Sequence, residues 1–454
     1  MIGFKSFKED WRIMAIFGVI FGLSPWMFFK MPFEILGAAL ICIYLFSKEK
    51  TWVMLLPLLL FLYPSQLETE VAPVVKMVTR KAPAFIEYPL LLFFVIAVIK
   101  KQINYYSKFI YPSLGLIFLG IMYSLYYGTT EDIVNTIFFI VNYVCVYLLI
   151  INCKISIKQY LNVLEVVFVA LSTYAILEYF YSITPYQDLY YITNGFTFIN
   201  RASSLCGHPL VFVGFLCFYQ IYLYARIVVF GKMPYISISL LILMSILTAS
   251  RTAYLVDGFL LVSYLVYIMR FQRNSKATYS VIGILIMASI VFYYFSDQYL
   301  SSLERFSGST ASTENRYSAF VVSWNVFIDN LFGVGYHLKS VIDKYTHFAA
   351  GFTMNVLDNV FLALLCRYGI FMFVYLMIFL QPFKITYKKI RKDRSVNFIF
   401  ILLCVNILAL SFSFIFIDFF PFVLFTSCTL GFIYKLYEFK TGKDEKSLST
   451  NVNL

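Results

Sequence analysis

Charged side chains are scarce in this sequence. Asp, Glu, Lys and Arg together make up 13% of the 454 residues, whereas hydrophobic residues make up 61%. A soluble domain is normally about 25% charged and about 45–50% apolar, so both values depart in the direction of a membrane protein. The composition excludes the soluble globular, disordered, collagen-like and nucleic-acid-binding classes.

Clustered cysteine and histidine residues are also missing. There are 8 cysteines, most of them inside apolar runs, and no two of them form a CxxC pair. The 3 histidines have no metal-ligand spacing between them. Structural zinc sites need Cys and His ligands at short, regular spacing. We therefore expect neither a disulfide framework nor a metal site, and we expect no cofactor.

Long apolar runs dominate the chain instead. A membrane-spanning helix uses roughly 20 residues, and the runs between Gly, Pro and charge clusters predict about 14 of them. No stretch between the runs is long enough to fold as a soluble domain. The sequence thus predicts an all-α polytopic integral membrane protein in which residues 1–454 form one transmembrane domain. The runs lie at 13–29, 33–47, 51–64, 83–99, 109–127, 133–151, 160–182, 209–229, 234–250, 252–269, 278–296, 357–381, 396–416 and 418–436.

The basic residues predict the orientation of these spans. Cytoplasmic connections of membrane proteins are enriched in Lys and Arg. With the N-terminus in the cytoplasm, most of the 36 basic residues fall on cytoplasmic connections. Both termini are then cytoplasmic. The net charge of +12 is mainly an orientation signal, which also favours contact with anionic lipid.

Two connections on the predicted outer side are long. They cover residues 183–208 and 297–356, whereas a typical connection has about 4–6 residues. Within the second, Ser318–Leu331 has apolar residues at helical spacing, which predicts a short amphipathic helix at the outer surface. We expect these two loops to form the active-site face.

Two arginines on this side call for an explanation, because basic residues are normally enriched on the cytoplasmic side. For Arg251, a charge at mid-membrane would also cost at least about 2.5–3.5 kcal/mol. Arg251 lies between two apolar runs with hardly a loop around it, and Arg201 shortly precedes the span that begins at Pro209. Two arginines on one face can bind a phosphate or pyrophosphate by paired hydrogen bonds. The alternatives are an ion pair of Arg251 with Asp257 or a neighbouring carboxylate, and a contact of Arg201 with lipid headgroups.

Three acidic residues within predicted spans have a simpler explanation. Glu87, Glu178 and Asp418 lie near predicted helix ends, where a charged group can reach the interface. Asp358 and Arg367 also fall in a predicted span.

All three histidines lie on the same predicted side as Arg201 and Arg251; they are His208, His337 and His347. Histidine is the only side chain that titrates near neutrality when unperturbed.

Four segments, taken together and in order, give a family resemblance. The chain resembles the Wzy-type O-antigen polymerase and ligase superfamily of polytopic envelope proteins, over roughly residues 201–373. Ligases of this superfamily carry a His where this chain has Asp358, and this departure favours a polymerase. The four segments are RASSLCGHPLVFVG (201–214), LTASRTAYL (247–255), NRYSAFVVSWNVFIDNLFGVGY (315–336) and LDNVFLALLCRYGIFMF (357–373).

The resemblance implies glycosyl transfer at the outer face of a bacterial inner membrane. A polyprenyl-diphosphate-linked glycan would pass to a sugar hydroxyl of another lipid-linked repeat unit, with inversion and without a metal, to build O-antigen or capsular polysaccharide. Arg201 and Arg251 would neutralise charge on the leaving pyrophosphate. A base would take the proton of the acceptor, with Asp358 as first candidate and His347 as second.

The same resemblance implies further binding residues and partners. Arg305 and Arg316 in the large outer loop would hold either diphosphate, and His208 and Asn359 complete the predicted binding set. The partners would be the lipid-linked donor and acceptor and the membrane lipid, and a chain-length regulator protein stays open.

Other functional classes remain as alternatives. A flippase for lipid-linked oligosaccharides would share the spans and charges, but it predicts two similar halves around a polar cavity. An O-antigen ligase would perform the same chemistry on a different acceptor. A purely structural membrane protein would leave Arg201, Arg251 and the long outer loop unexplained.

Overall fold

The described part of this computed structural model is helical and contains no β-strand. Six of its helices are long and apolar enough to cross a membrane, which confirms the all-α polytopic membrane class. The total of about 14 spans and the single domain stay predictions. The structure describes residues 87–100, 103–105, 107–181, 202, 204–206, 209–248, 250, 310–345, 357, 359–413 and 420–442, and single positions between 253 and 293.

The helices are numbered here in chain order, and three short 3-10 turns connect some of them. The turns are Ser204–Cys206, Gly335–His337 and Gly369–Phe371. The helices are α1 (Glu87–Ile99), α2 (Ser107–Tyr127), α3 (Glu131–Asn152), α4 (Ile157–Tyr181), α5 (Pro209–Phe230), α6 (Tyr235–Leu247), α7 (Thr310–Asp329), α8 (Leu338–Tyr345), α9 (Val360–Tyr368), α10 (Met372–Ile390), α11 (Arg394–Ser413) and α12 (Phe420–Lys440).

Most predicted spans in this part match a helix within a few residues, but the span at 357–381 differs. It consists of α9 and α10, separated at Gly369, whose φ of +53° ends the first helix. Helix α10 then continues to Ile390, through the Lys-rich segment that follows the apolar run. The amphipathic helix predicted over 318–331 is also longer, since α7 has 20 residues.

Helices α3 and α12 pack closely in the core. A Cβ added to Gly431 of α12 would meet Ile150 Cγ2 of α3 at 2.5 Å, so the two backbones need a glycine there. Residues Ile140–Cys145 of α3 form a π-helical turn. The hydroxyl of Ser427 donates to the Tyr143 carbonyl in this turn, at 2.8 Å. Small residues and interhelical hydrogen bonds are the usual means of helix association in membranes.

Hydroxyl groups in the core pair across helices. The Tyr147 and Thr386 hydroxyls lie 2.9 Å apart, and those of Tyr222 and Thr429 lie 2.8 Å apart. Lipid offers no partner to a buried polar group, so these pairs join α3 to α10 and α5 to α12 while satisfying the groups themselves.

One end of the bundle carries paired basic residues. Lys440 lies 2.8 Å from Asp393, and Lys389 lies 3.1 Å from Glu438. These contacts join the ends of α10 and α12 to the start of α11. The basic residues belong to connections that the sequence assigns to the cytoplasm, and that orientation stays a prediction.

Asp393 caps α11 at this end. Burial raises the pKa of its carboxyl, but hydrogen bonds from Lys440, the Val396 backbone and Ser395 outweigh burial, and the net pKa is lowered. A carboxyl with a lowered pKa stabilises the fold above its unfolded pKa of about 3.9 and loses that contribution as the pH falls further. This end is therefore held together at neutral pH.

Candidate functional site

The segment before α5 is tied to the ends of two other helices. The Ala202 backbone N–H donates to the Leu247 carbonyl at the end of α6, at 2.8 Å. The Ser204 backbone N–H donates to Glu178 Oε2 of α4 at 2.6 Å, and its hydroxyl donates to the Leu171 carbonyl at 2.7 Å. These bonds hold Ser204 at a φ of +54°, a left-handed conformation that non-glycine residues rarely adopt.

Glu178 differs from its expected place at the interface. It does lie near the end of α4, but only 5% of the residue is exposed. Burying a carboxylate is costly unless hydrogen bonds compensate for the lost water, and the Ser204 backbone N–H is one such donor. Glu178 therefore anchors the segment before α5 and does not extend to the surface.

These contacts involve residues that are close in sequence to the predicted arginine pair. Arg201 and Arg251 lie outside the described residues. Ala202 directly follows Arg201, however, and Leu247 precedes Arg251 by four residues. The hydrogen bond between Ala202 and Leu247 thus joins the two segments that the sequence selected, beside the buried Glu178.

Among the other predicted site residues, only Asn359 has a described side chain. Its Oδ1 accepts from the Phe361 backbone N–H at 2.9 Å and from the Leu362 backbone N–H at 3.2 Å, so Asn359 caps α9. Such a cap is typically worth about 1 kcal/mol. Arg316 lies in α7, but its side chain is not among those described. His208, Arg305, His347 and Asp358 lie outside the described residues.

A second polar cluster was not predicted from the sequence. We call it the Asp132 cluster, and it comprises Tyr127, Thr129, Asp132, Tyr336 and His337. Asp132 is 1% exposed; its Oδ1 accepts from the Tyr336 backbone N–H at 2.7 Å, and its Oδ2 lies 3.2 Å from His337 Nε2. That nitrogen is also 3.0 Å from Thr129 Oγ1, and the His337 ring stacks on Tyr127 at 4.2 Å.

The backbone conformation around the Asp132 cluster explains how the loop approaches the Asp132 carboxylate so closely. Asp132 lies in the first turn of α3, where the helix dipole favours a negative charge. Gly335 has a φ of +60°, and an added Cβ would lie 2.1 Å from Asp132 Oδ1. Only glycine fits at this position, so the loop backbone comes close enough to hydrogen-bond to the carboxylate.

The same loop packs against the break between α9 and α10. The Val334 backbone N–H donates to the Cys366 carbonyl at 3.0 Å, and the Ile370 N–H donates to the Leu331 carbonyl at 2.9 Å. Arg367, which the sequence places within a predicted span, is 6% exposed, and its guanidinium lies 4.5 Å from the centre of the Tyr336 ring. A cation over an aromatic face is stabilised by the ring quadrupole. The Asp132 cluster therefore joins the large loop, the start of α3 and the helix break.

A family model described as O-antigen ligase matches residues 236–377. Residues 236–377 are therefore similar to the O-antigen ligase family. This confirms the resemblance to the O-antigen polymerase and ligase superfamily. The matched range includes Arg251, His337 and Arg367 but not Arg201 or Asp132. No curated protein matches the chain.

Proposed function

We propose that this member of the superfamily is a polysaccharide polymerase that joins lipid-linked repeat units into O-antigen or capsular polysaccharide. The hydrogen bond between Ala202 and Leu247 carries the proposal, because it joins the segments of Arg201 and Arg251. Donor and acceptor are both polyprenyl-diphosphate-linked glycans. The reaction takes place at the outer face of the bacterial inner membrane, with both termini of the chain in the cytoplasm, and a chain-length regulator is a proposed partner.

In the proposed reaction, the acceptor hydroxyl attacks the anomeric carbon of the donor sugar and the lipid diphosphate leaves with the electron pair of the broken C–O bond. Attack from the opposite face inverts the configuration. Arg201 and Arg251 stabilise the charge that develops on the diphosphate. Asp358, or His347 as second candidate, takes the hydroxyl proton. No step requires a metal.

The anchoring of the segment before α5 supports this role for the arginines. Electrostatic catalysis is effective when the charged groups are held in place before the reaction. Three hydrogen bonds from Ala202 and Ser204 fix the segment that follows Arg201. The remaining proposed binding residues are on the same predicted face and would hold the second diphosphate and the glycans; they are His208, Arg305, Arg316 and Asn359.

An O-antigen ligase is the second candidate, because the matching family model carries that description. It differs from a polymerase only in the acceptor. Asp358 favours the polymerase, because ligases of the superfamily have His at this position.

The glycan profile of cells that lack the protein tests the proposal. We expect surface glycan with single repeat units only, and we expect long chains to return when the wild-type chain is supplied. Polymer that accumulates on its lipid carrier would indicate the ligase instead. Repeat units that stay on the inner face would indicate a flippase, and either of these results would contradict the proposed polymerase.

A further inference from the structure

An apolar groove of about 570 Å³ runs between α10 and α11, with α9 at one end. It extends from Val360 and Ser411 at that end to Lys384 and Tyr387 at the other. Its walls are aromatic and aliphatic side chains of the two long helices, among them Phe379, Leu380, Phe383, Phe400 and Leu408.

The dimensions and chemistry of the groove fit a single hydrocarbon chain. Tyr375 and Tyr387 both line it, and the helix between them rises roughly 18 Å at about 1.5 Å per residue. This is close to one leaflet of a hydrocarbon core about 30 Å thick. The Ser411 hydroxyl donates to the Ile407 carbonyl at 2.7 Å, so its proton is already used. The groove therefore suits a chain that needs no hydrogen bonds.

Positive charge lies at one end of the groove. Lys384 lines this end, and Lys388 follows four residues later, on the same face of α10. Both are exposed, and within the described part of the chain neither has a carboxylate partner. The adjacent Lys389, in contrast, pairs with Glu438 at 3.1 Å. The groove thus combines an apolar channel with Lys384 at one end and Lys388 one helical turn further along α10.

We propose that the groove binds one acyl chain of an anionic phospholipid, whose phosphate lies between Lys384 and Lys388. Basic pockets between membrane helices bind anionic headgroups in this way. The two lysines belong to the end of the bundle assigned to the cytoplasmic leaflet. The lipid fills the seam between α10 and α11. The site uses none of the residues proposed for glycan transfer, so it stands independently of that function.

Lipid titration of the purified full-length chain, followed by native mass spectrometry, tests this site. The probes are phosphatidylglycerol and phosphatidylcholine with the same acyl chains. Changing Lys384→Gln and Lys388→Gln together is expected to weaken phosphatidylglycerol binding by about fivefold for each lysine and to leave phosphatidylcholine binding unchanged. Lys392→Gln is the matched control, because Lys392 is exposed at the same end of the bundle but lies beyond the end of α10 at Ile390.

A second variant tests the groove itself. Leu380→Trp adds bulk to the wall and is expected to reduce binding of both lipids. Equal affinity of the wild-type chain for the two lipids would contradict the proposal, as would unchanged phosphatidylglycerol binding by the double lysine variant. Tighter, lysine-dependent binding of a polyprenyl phosphate than of phosphatidylglycerol would overturn it too, by making the carrier the occupant.

Discussion

Changing Arg201 or Arg251 to Ala is expected to abolish long glycan chains while the protein still inserts in the membrane. Each arginine is proposed to stabilise charge on the leaving diphosphate, and removing one such group typically lowers a rate by about 10²–10³-fold. At that rate, chain extension falls far behind export of short glycans. The measurement is the glycan length profile of cells that carry each variant as their only copy, with the membrane-inserted protein quantified in parallel.

Two further variants separate this role from a general effect of charge. Lys232→Ala removes an exposed positive charge in the connection between α5 and α6 and is expected to leave chain length unchanged. Arg251→Lys keeps the charge but loses the planar donor pair of the guanidinium, so we expect chains of intermediate length. Full-length polymer from either Arg→Ala variant, at normal protein level, would remove the arginines from the mechanism.

Changing Asp132 to Ala is expected to release the large loop from the bundle. The Tyr336 backbone N–H and His337 Nε2 both lose their contact with the carboxylate, and a buried donor left without a partner costs about 1–3 kcal/mol. Thermal unfolding of the purified protein is expected to occur several degrees lower, and a protease added from the outside to cut near residues 331–337 more rapidly. Chain length should fall as well, because the loop carries proposed binding residues.

Glu131→Ala is the matched control for this variant. Glu131 is the preceding residue in α3, is exposed and has no contact with the loop in the described part of the chain. Asp132→Asn keeps an acceptor for the Tyr336 N–H but loses the charge, so its stability should lie between those of the wild type and Asp132→Ala. If Asp132→Ala unfolds and is cleaved like Glu131→Ala, the Asp132 cluster does not hold the loop.

The helices were predictable from the sequence where hydrophobicity alone determines them. The apolar run 209–229 corresponds closely to α5, because a span must be continuously apolar to lie in lipid. The break at Gly369 was not predictable in this way. Residues 357–381 form one mostly apolar run, and at the break the Ile370 backbone N–H donates to the carbonyl of the distant Leu331.

The arginine pair and the Asp132 cluster also differ in how far the local sequence predicts them. Arg201 and Arg251 were selected because a basic residue on the predicted outer side is unusual in a local stretch of sequence. Asp132 looks like an ordinary acidic residue in the first turn of a helix. Its partner Tyr336 lies 204 residues further along the chain, and no local pattern connects the two. Glu178 was misjudged for the same reason, since its hydrogen bond with the Ser204 backbone N–H depends on the tertiary structure.

Reconstitution of the purified chain in liposomes, with polyprenyl-diphosphate-linked repeat units as the only substrate, is a direct test of the proposed polymerase activity. We expect the wild-type chain to form a ladder of lipid-linked products that differ by one repeat unit, without added metal, and we expect no ladder from the Arg251→Ala variant. If the repeat units remain unextended with the wild-type chain but are transferred when a different acceptor lipid is supplied, the chain is a ligase and the polymerase account is wrong.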